Sequence, residues 1–154
     1  ATQNTFNGRH FRQTFQKYAN GIEVYVQPGN GLVELVEEGD HNSQKAKALL
    51  ETYLIPMMAL GVDAIVLGCT HYPFLMDHIK EITRNDIKII DPADAVAKQT
   101  KRIIGEFHIY ANQADPPQFT FFTTGKKDAA QNLLQQTIKI PYYINHPDSE
   151  ISQA

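Results

Sequence analysis

Cysteine occurs once in this 154-residue chain, at position 69, and tryptophan is absent. A single thiol allows no internal disulfide, so the expectation is a reducing, cytoplasmic setting. It also leaves the zinc patterns built on paired cysteines without their ligands. No apolar run approaches the roughly 18 residues of a membrane span, and no stretch has the pattern of a secretory signal. Positive charge is scarce too: 14 lysines and arginines stand against 17 acidic residues, a formal net charge of −3. No basic patch therefore points to nucleic acid or an anionic membrane as a partner. Internal repeats and low-complexity tracts are missing. The chain opens on Ala1, not methionine, and the expectation drawn from that is a fragment or a processed piece. The rest of the composition is ordinary. Hydrophobic residues make up 42% and charged residues 20%, as in soluble globular domains, and the length suffices for one domain with a real core.

Against this plain background one stretch stands out, Asp63-Ala64-Ile65-Val66-Leu67-Gly68-Cys69-Thr70-His71-Tyr72-Pro73. The apolar run Ala64 to Leu67 reads as a buried strand. Gly68 lets the backbone turn tightly or admit a ligand closely. A thiol, a hydroxyl and an imidazole then follow in consecutive positions, and Pro73 suits the first turn of a helix. Polar groups at the carboxyl end of such a strand are where open α/β sheets keep their ligands.

The chain around it alternates helix and strand. Asn4 or Thr5 caps a helix running to about Ala19, with Phe6, Phe11, Phe15 and Tyr18 as its apolar stripe, and Asn20-Gly21 ends it. The β-branched and aromatic run Ile22 to Val26 predicts a strand. Leu32 to Val36 make a short helical turn that leaves Glu37-Glu38-Gly39-Asp40 at its end. Ser43 caps a helix to about Leu60, interrupted by Pro56 and stopped at Gly61. A helix from Pro73 to about Thr83 and a strand over 87–90 follow. Asp91-Pro92 opens a further helix that stops near Gly105. Residues 108–117 read as loop, 119–122 as a strand ending in Thr123-Thr124-Gly125, 128–136 as a helix, and 142–144 as a last strand before a loose tail. The alternation predicts an α/β fold with a mainly parallel sheet flanked by helices.

Several readings of Cys69 are open at this level. A free thiol has a pKa of about 8.5, and a helix N-terminus or a neighbouring imidazolium lowers it, which makes a thiolate nucleophile or base. A buried structural thiol is as good a reading from position alone. Cys69, His71 and His78 as metal ligands, or a Cys–His protease with a distant base, are weaker, because neither has its supporting pattern. Glu37 and Glu38 read either as a solvated helix end or as a carboxylate that holds an imidazole in place. Thr2 and Thr5 are caps or ligand-side hydroxyls, and Thr123-Thr124 is turn chemistry. His10, His41, His78, His108 and His146 sit in polar contexts and read as surface residues.

The run Gly68-Cys69-Thr70-His71-Tyr72-Pro73 resembles the glutamate racemase family of the aspartate/glutamate racemase superfamily. Leu35-Val36-Glu37-Glu38-Gly39, Asp91-Pro92-Ala93-Asp94-Ala95-Val96-Ala97, Phe122-Thr123-Thr124-Gly125 and Ala1-Thr2 with Thr5 are similar to further segments of that family, in order, across about residues 1–135. The resemblance implies a cofactor-independent enzyme that interconverts L- and D-glutamate for bacterial cell-wall synthesis, with two cysteines facing the α-carbon from opposite sides. It implies Cys69 as one of the two, Glu37 as the residue that orients His71, and Thr70, His71 and Thr2 as substrate contacts, with no metal. The family's other cysteine has no counterpart here. The resemblance therefore implies the C-terminal half of a racemase: residues 1–90 as its second domain without the first strand, and residues 91–154 as a segment that packs on a missing N-terminal domain. Glutamate, that domain and a second copy in a homodimer are the implied partners. A non-catalytic binding domain that kept the pocket, and a racemase for aspartate or a related acid, are the alternatives.

Overall fold

The structure is a computed structural model, which describes residues 6–110 and 117–146. In chain order it contains α1 (Arg9–Tyr18), α2 (Leu32–Glu37), α3 (Gln44–Ala59), β1 (Ala64–Val66), a 3-10 turn (Tyr72–Leu75) that runs into α4 (Met76–Thr83), and β2 (Lys88–Ile90). Beyond these come α5 (Ala93–Glu106), β3 (Phe119–Phe122), α6 (Lys127–Thr137) and β4 (Tyr142–Asn145). β1 pairs with β2 in parallel, Ile65 opposite Ile89, and β3 pairs with β4 in parallel, Phe119 opposite Tyr142. The expected parallel pairing is present, but among the described residues it forms two separate two-stranded ladders.

The core is gathered between residues 32 and 79. α2 contributes Leu32, Leu35 and Val36, at the spacing of one helical face. Ala46, Leu50 and Leu54, each four residues apart, do the same for α3. Ile65 and Leu67 come from β1 and its end, Tyr72 and Leu75 from the 3-10 turn, and Ile79 from α4. Ser43 caps α3 as expected: its hydroxyl accepts a hydrogen bond from the Ala46 N–H at 3.1 Å. The helix runs on through Pro56 to Ala59. Asp91 turns its carboxylate to the start of α5, where Oδ1 accepts from the Ala93 N–H at 2.9 Å.

Three expectations need correction. Residues 22–26 join no ladder, and Ile22, Val24, Tyr25 and Val26 are exposed. A strand exists only through its partner's hydrogen bonds, and β-branched composition supplies none. The aromatic stripe of α1 does not enter the core. Phe11 meets Phe6 edge-on and Phe15 at a tilt, with ring centroids 5.2 Å and 6.1 Å apart, while Phe15 and Tyr18 are exposed. The expected caps Asn4 and Thr5 lie outside the described residues. Two of the histidines read as surface are not: His41 is buried and His78 is half-buried, because the chain folds back over them.

Candidate functional site

Parallel pairing of β1 and β2 brings their carboxyl ends side by side. The Leu67 N–H donates to the Ile90 carbonyl at 2.9 Å, one residue past β1, and holds the two exits together. Gly68-Cys69-Thr70 leaves from one strand and Asp91-Pro92 from the other. Between them lies a cleft of about 600 Å³, with Leu67, Gly68, Cys69, Thr70 and Pro73 on one wall and Asp91, Pro92, Ala93, Val96 and Ala97 on the other. This is the position at which open parallel sheets bind ligands.

The loop that carries the thiol is closed tightly. The Tyr72 N–H donates to the Cys69 carbonyl at 3.2 Å, and the Phe74 N–H donates to the His71 carbonyl at 3.1 Å. Tyr72 and Leu75 anchor the 3-10 turn in the core, and Cys69 and Thr70 are left at the cleft. Tyr72 is only 7% exposed. Burial first, and then the nearby Cys69 charge, push its phenol up to about 12. Its hydroxyl donates to the Gly29 carbonyl at 3.4 Å, which ties this loop to the one before α2.

Three of the expected site residues are brought together. Cys69 Sγ lies 3.8 Å from His71 Nδ1. On the other side of the ring, His71 Nε2 lies 3.4 Å from Glu37 Oε1, at the end of α2. With its proton on Nε2, the imidazole donates toward the carboxylate and offers the Nδ1 lone pair to the thiol, so one tautomer satisfies both contacts. The row carboxylate–imidazole–thiol is able to take a proton from the sulfur and return it. Thr70 is exposed and lines the cleft beside Cys69. Thr2 lies outside the described residues. Thr123 is occupied in its turn, where its hydroxyl accepts from the Gly125 N–H at 3.1 Å.

The metal reading loses its third ligand. His78 Nδ1 is directed at Glu81 of its own helix, at 3.9 Å. Among the described residues no group of three or more His, Cys, Asp or Glu side chains is gathered to hold a metal ion. Nor, among them, is any helix long and apolar enough to cross a membrane. The wall formed by the start of α5 carries no site signal of its own in the residue types. The Asp91-Pro92 helix opening was visible in the sequence, but that it faces Cys69 follows only from the register of β1 on β2.

Residues 1–100 match the sequence profile of the Asp/Glu/Hydantoin racemase family. The chain belongs to that family. Among the curated members it resembles is a glutamate racemase of Pseudomonas putida, 37% identical over 134 residues, which cover 87% of this chain and 50% of that protein. Another is a glutamate racemase of Ralstonia nicotianae, 41% identical over 114 residues, covering 74% of this chain and 41% of that one. The chain thus spans about half the length of the curated relatives it matches. A crystal structure of the glutamate racemase from Francisella tularensis, solved in complex with D-glutamate, superposes with a TM-score of 0.77 at 26% identity, over 94% of this chain and 54% of that one. The racemase fold is therefore shared, and the α/β expectation holds.

Proposed function

We propose that this chain is the Cys69-bearing half of a glutamate racemase. The reading is carried by one observation: the row Glu37–His71–Cys69, with separations of 3.4 and 3.8 Å, opens on a cleft at the carboxyl ends of two parallel strands. Relatives named as glutamate racemases, one of them holding D-glutamate, support the substrate. Inversion at Cα needs a proton taken from one face and delivered to the other. Ionised Cys69 removes the α-proton on its face, the C–H electron pair stays on carbon, and a second thiol protonates the opposite face. In the reverse direction Cys69 is the donor. His71 exchanges the proton with the sulfur, Glu37 holds the imidazole, and Thr70 and Thr2 contact the substrate. No metal or organic cofactor enters the scheme, so positioning and exclusion of water must supply the rate.

The second thiol belongs to an N-terminal racemase domain. Residues 1–90 form the second domain, and residues 91–154 pack on the first. The exposure of Val66, Ile90 and Val96 supports such a cover. D-glutamate for peptidoglycan, made in the cytoplasm and needed for cell shape, is the product's proposed use.

The test is deuterium entry from solvent at Cα of both glutamate enantiomers, with the full-length protein and its Cys69→Ala variant. Loss of a positioned acid–base group lowers exchange by about 10²–10⁴-fold, and the isolated 154 residues, with one thiol, give no racemisation. Racemisation at the parental rate by the variant would refute the assignment. The lone cysteine also favours a second reading, a binding module that kept the pocket. Alkylation of Cys69 separates the two: a reactive thiol protected by glutamate belongs to the enzyme, and an inert one to the module.

A further inference from the structure

The proposed proton transfer makes no use of His41, yet this residue is only 6% exposed and its Nδ1 is shut off from solvent without a hydrogen-bond partner. A buried ring nitrogen in that state is a cost, and the contacts of the ring have to offset it. The ring meets Phe74 edge-on, with centroids 5.9 Å apart and planes at 67°. This geometry is favourable for aromatic pairs.

The two rings sit on the two segments that carry the site. His41 follows Glu37 by four residues, across a turn closed by hydrogen bonds from Gly39 N–H to the Val36 carbonyl (3.1 Å) and from Asp40 N–H to the Leu35 carbonyl (2.8 Å). Gly39 takes a φ of +77° there, a conformation that side chains resist. Phe74 follows His71 by three residues and donates its N–H to the His71 carbonyl. The Glu37–His71 pair cannot align these segments by itself, since the glutamate side chain is 55% exposed and such pairs are weak. The other ionisable groups at hand are Glu34 and Glu38 on the α2 side, Asp40 beside His41, and Cys69 and Tyr72 next to His71.

We propose that the His41–Phe74 contact sets the register between the end of α2 and the 3-10 turn, which makes His41 a positioning residue for the Glu37–His71–Cys69 row. Its catalytic meaning rests on the racemase reading, whereas the contact itself does not. The test records the ring nitrogen resonances of His71 by NMR, with kcat and KM, in the full-length protein. Glu37→Gln moves the His71 Nε2 resonance. His41→Leu keeps the burial and loses the ring, and Phe74→Leu removes the contact from the other side. Both move the resonance in the same direction and lower kcat about tenfold with KM unchanged, as expected for misplaced catalytic groups. His41→Phe retains the ring contact and leaves both readouts at the parental values.

A folded His41→Leu or Phe74→Leu protein with parental resonance and kcat overturns the inference. A shifted resonance in His41→Phe does so even if both leucine variants fail to fold. If Glu37→Gln moves nothing, the carboxylate–imidazole pairing falls and the inference with it. Normal racemisation by Cys69→Ala, with the resonance still displaced in His41→Leu, would remove the functional reading and leave the positioning contact standing.

Discussion

Gly29 and Tyr72 show how single residues hold the reactive loop in place. A Cβ on Gly29 would lie 2.4 Å from the Tyr72 hydroxyl oxygen and 2.8 Å from Leu32 Cδ1. Both neighbours are buried and have little room to yield. Gly29→Ala is therefore expected to destabilise the fold by about 1–3 kcal/mol, the usual range for overpacking, seen as a lower denaturant midpoint at unchanged slope. Tyr72 also gives the fold an alkaline limit. Its phenol is pushed from the usual value of about 10 up to about 12. The native state thus keeps the proton over a pH range in which the unfolded chain has lost it. The stabilisation is fully present below the unfolded value and is lost as pH rises through the folded one. Stability measured against pH should decline across that alkaline interval, and Tyr72→Phe should flatten this part of the curve. An equal decline in Tyr72→Phe would assign the effect to other groups. Neither contact was legible in the sequence, because Gly29 and Tyr72 are 43 residues apart.

Elements differ in how far local sequence specifies them. α3 carries its own start signal at Ser43 and its own buried face at Ala46, Leu50 and Leu54, and it forms where expected. Removing the cap by Ser43→Ala is expected to cost about 1 kcal/mol, read as a fall in thermal midpoint without change in the folded spectrum. An unchanged midpoint would mean that tertiary packing alone secures the first turn. The run Ile22 to Val26 is the opposite case. Its residues favour strands, but pairing is a relation between two segments, and residues 22–26 enter no ladder. Cys69-Thr70-His71 lies between these cases. Its residue types announced chemistry, while the contact of His71 with Glu37 depends on α2 packing against the 3-10 turn, 34 residues away in sequence.

For the molecule as a whole, the distribution of apolar surface is the telling property. The core lies between residues 32 and 79, and α1, α5 and α6 bury no side chain completely. Val66 and Ile90, opposite one another across the parallel ladder, are both exposed, Val66 to 62%. A groove of about 350 Å³ runs beside Val66 between Val24, Tyr25, Val26, Phe6 and Phe11. Contiguous apolar surface of this kind is what interfaces cover. The 154 residues on their own are expected to bind an apolar dye and to self-associate with rising concentration in sedimentation experiments, and Val66→Lys should weaken both. A dilution-independent monomer that binds no dye would contradict the reading that this face needs a cover.

The sequence alone determined the family, the α/β alternation and the thiol on which the proposed chemistry turns, since these depend on residue types at short spacing: a Cys-Thr-His run after an apolar strand, and caps beside amphipathic faces. Only the tertiary structure decided that Glu37 reaches His71, that Asp91 and the start of α5 wall the cleft, that His41 is buried against Phe74, and that residues 22–26 join no ladder. Each of these depends on contacts between distant segments, and such contacts follow from packing and strand register, which no local stretch of sequence encodes.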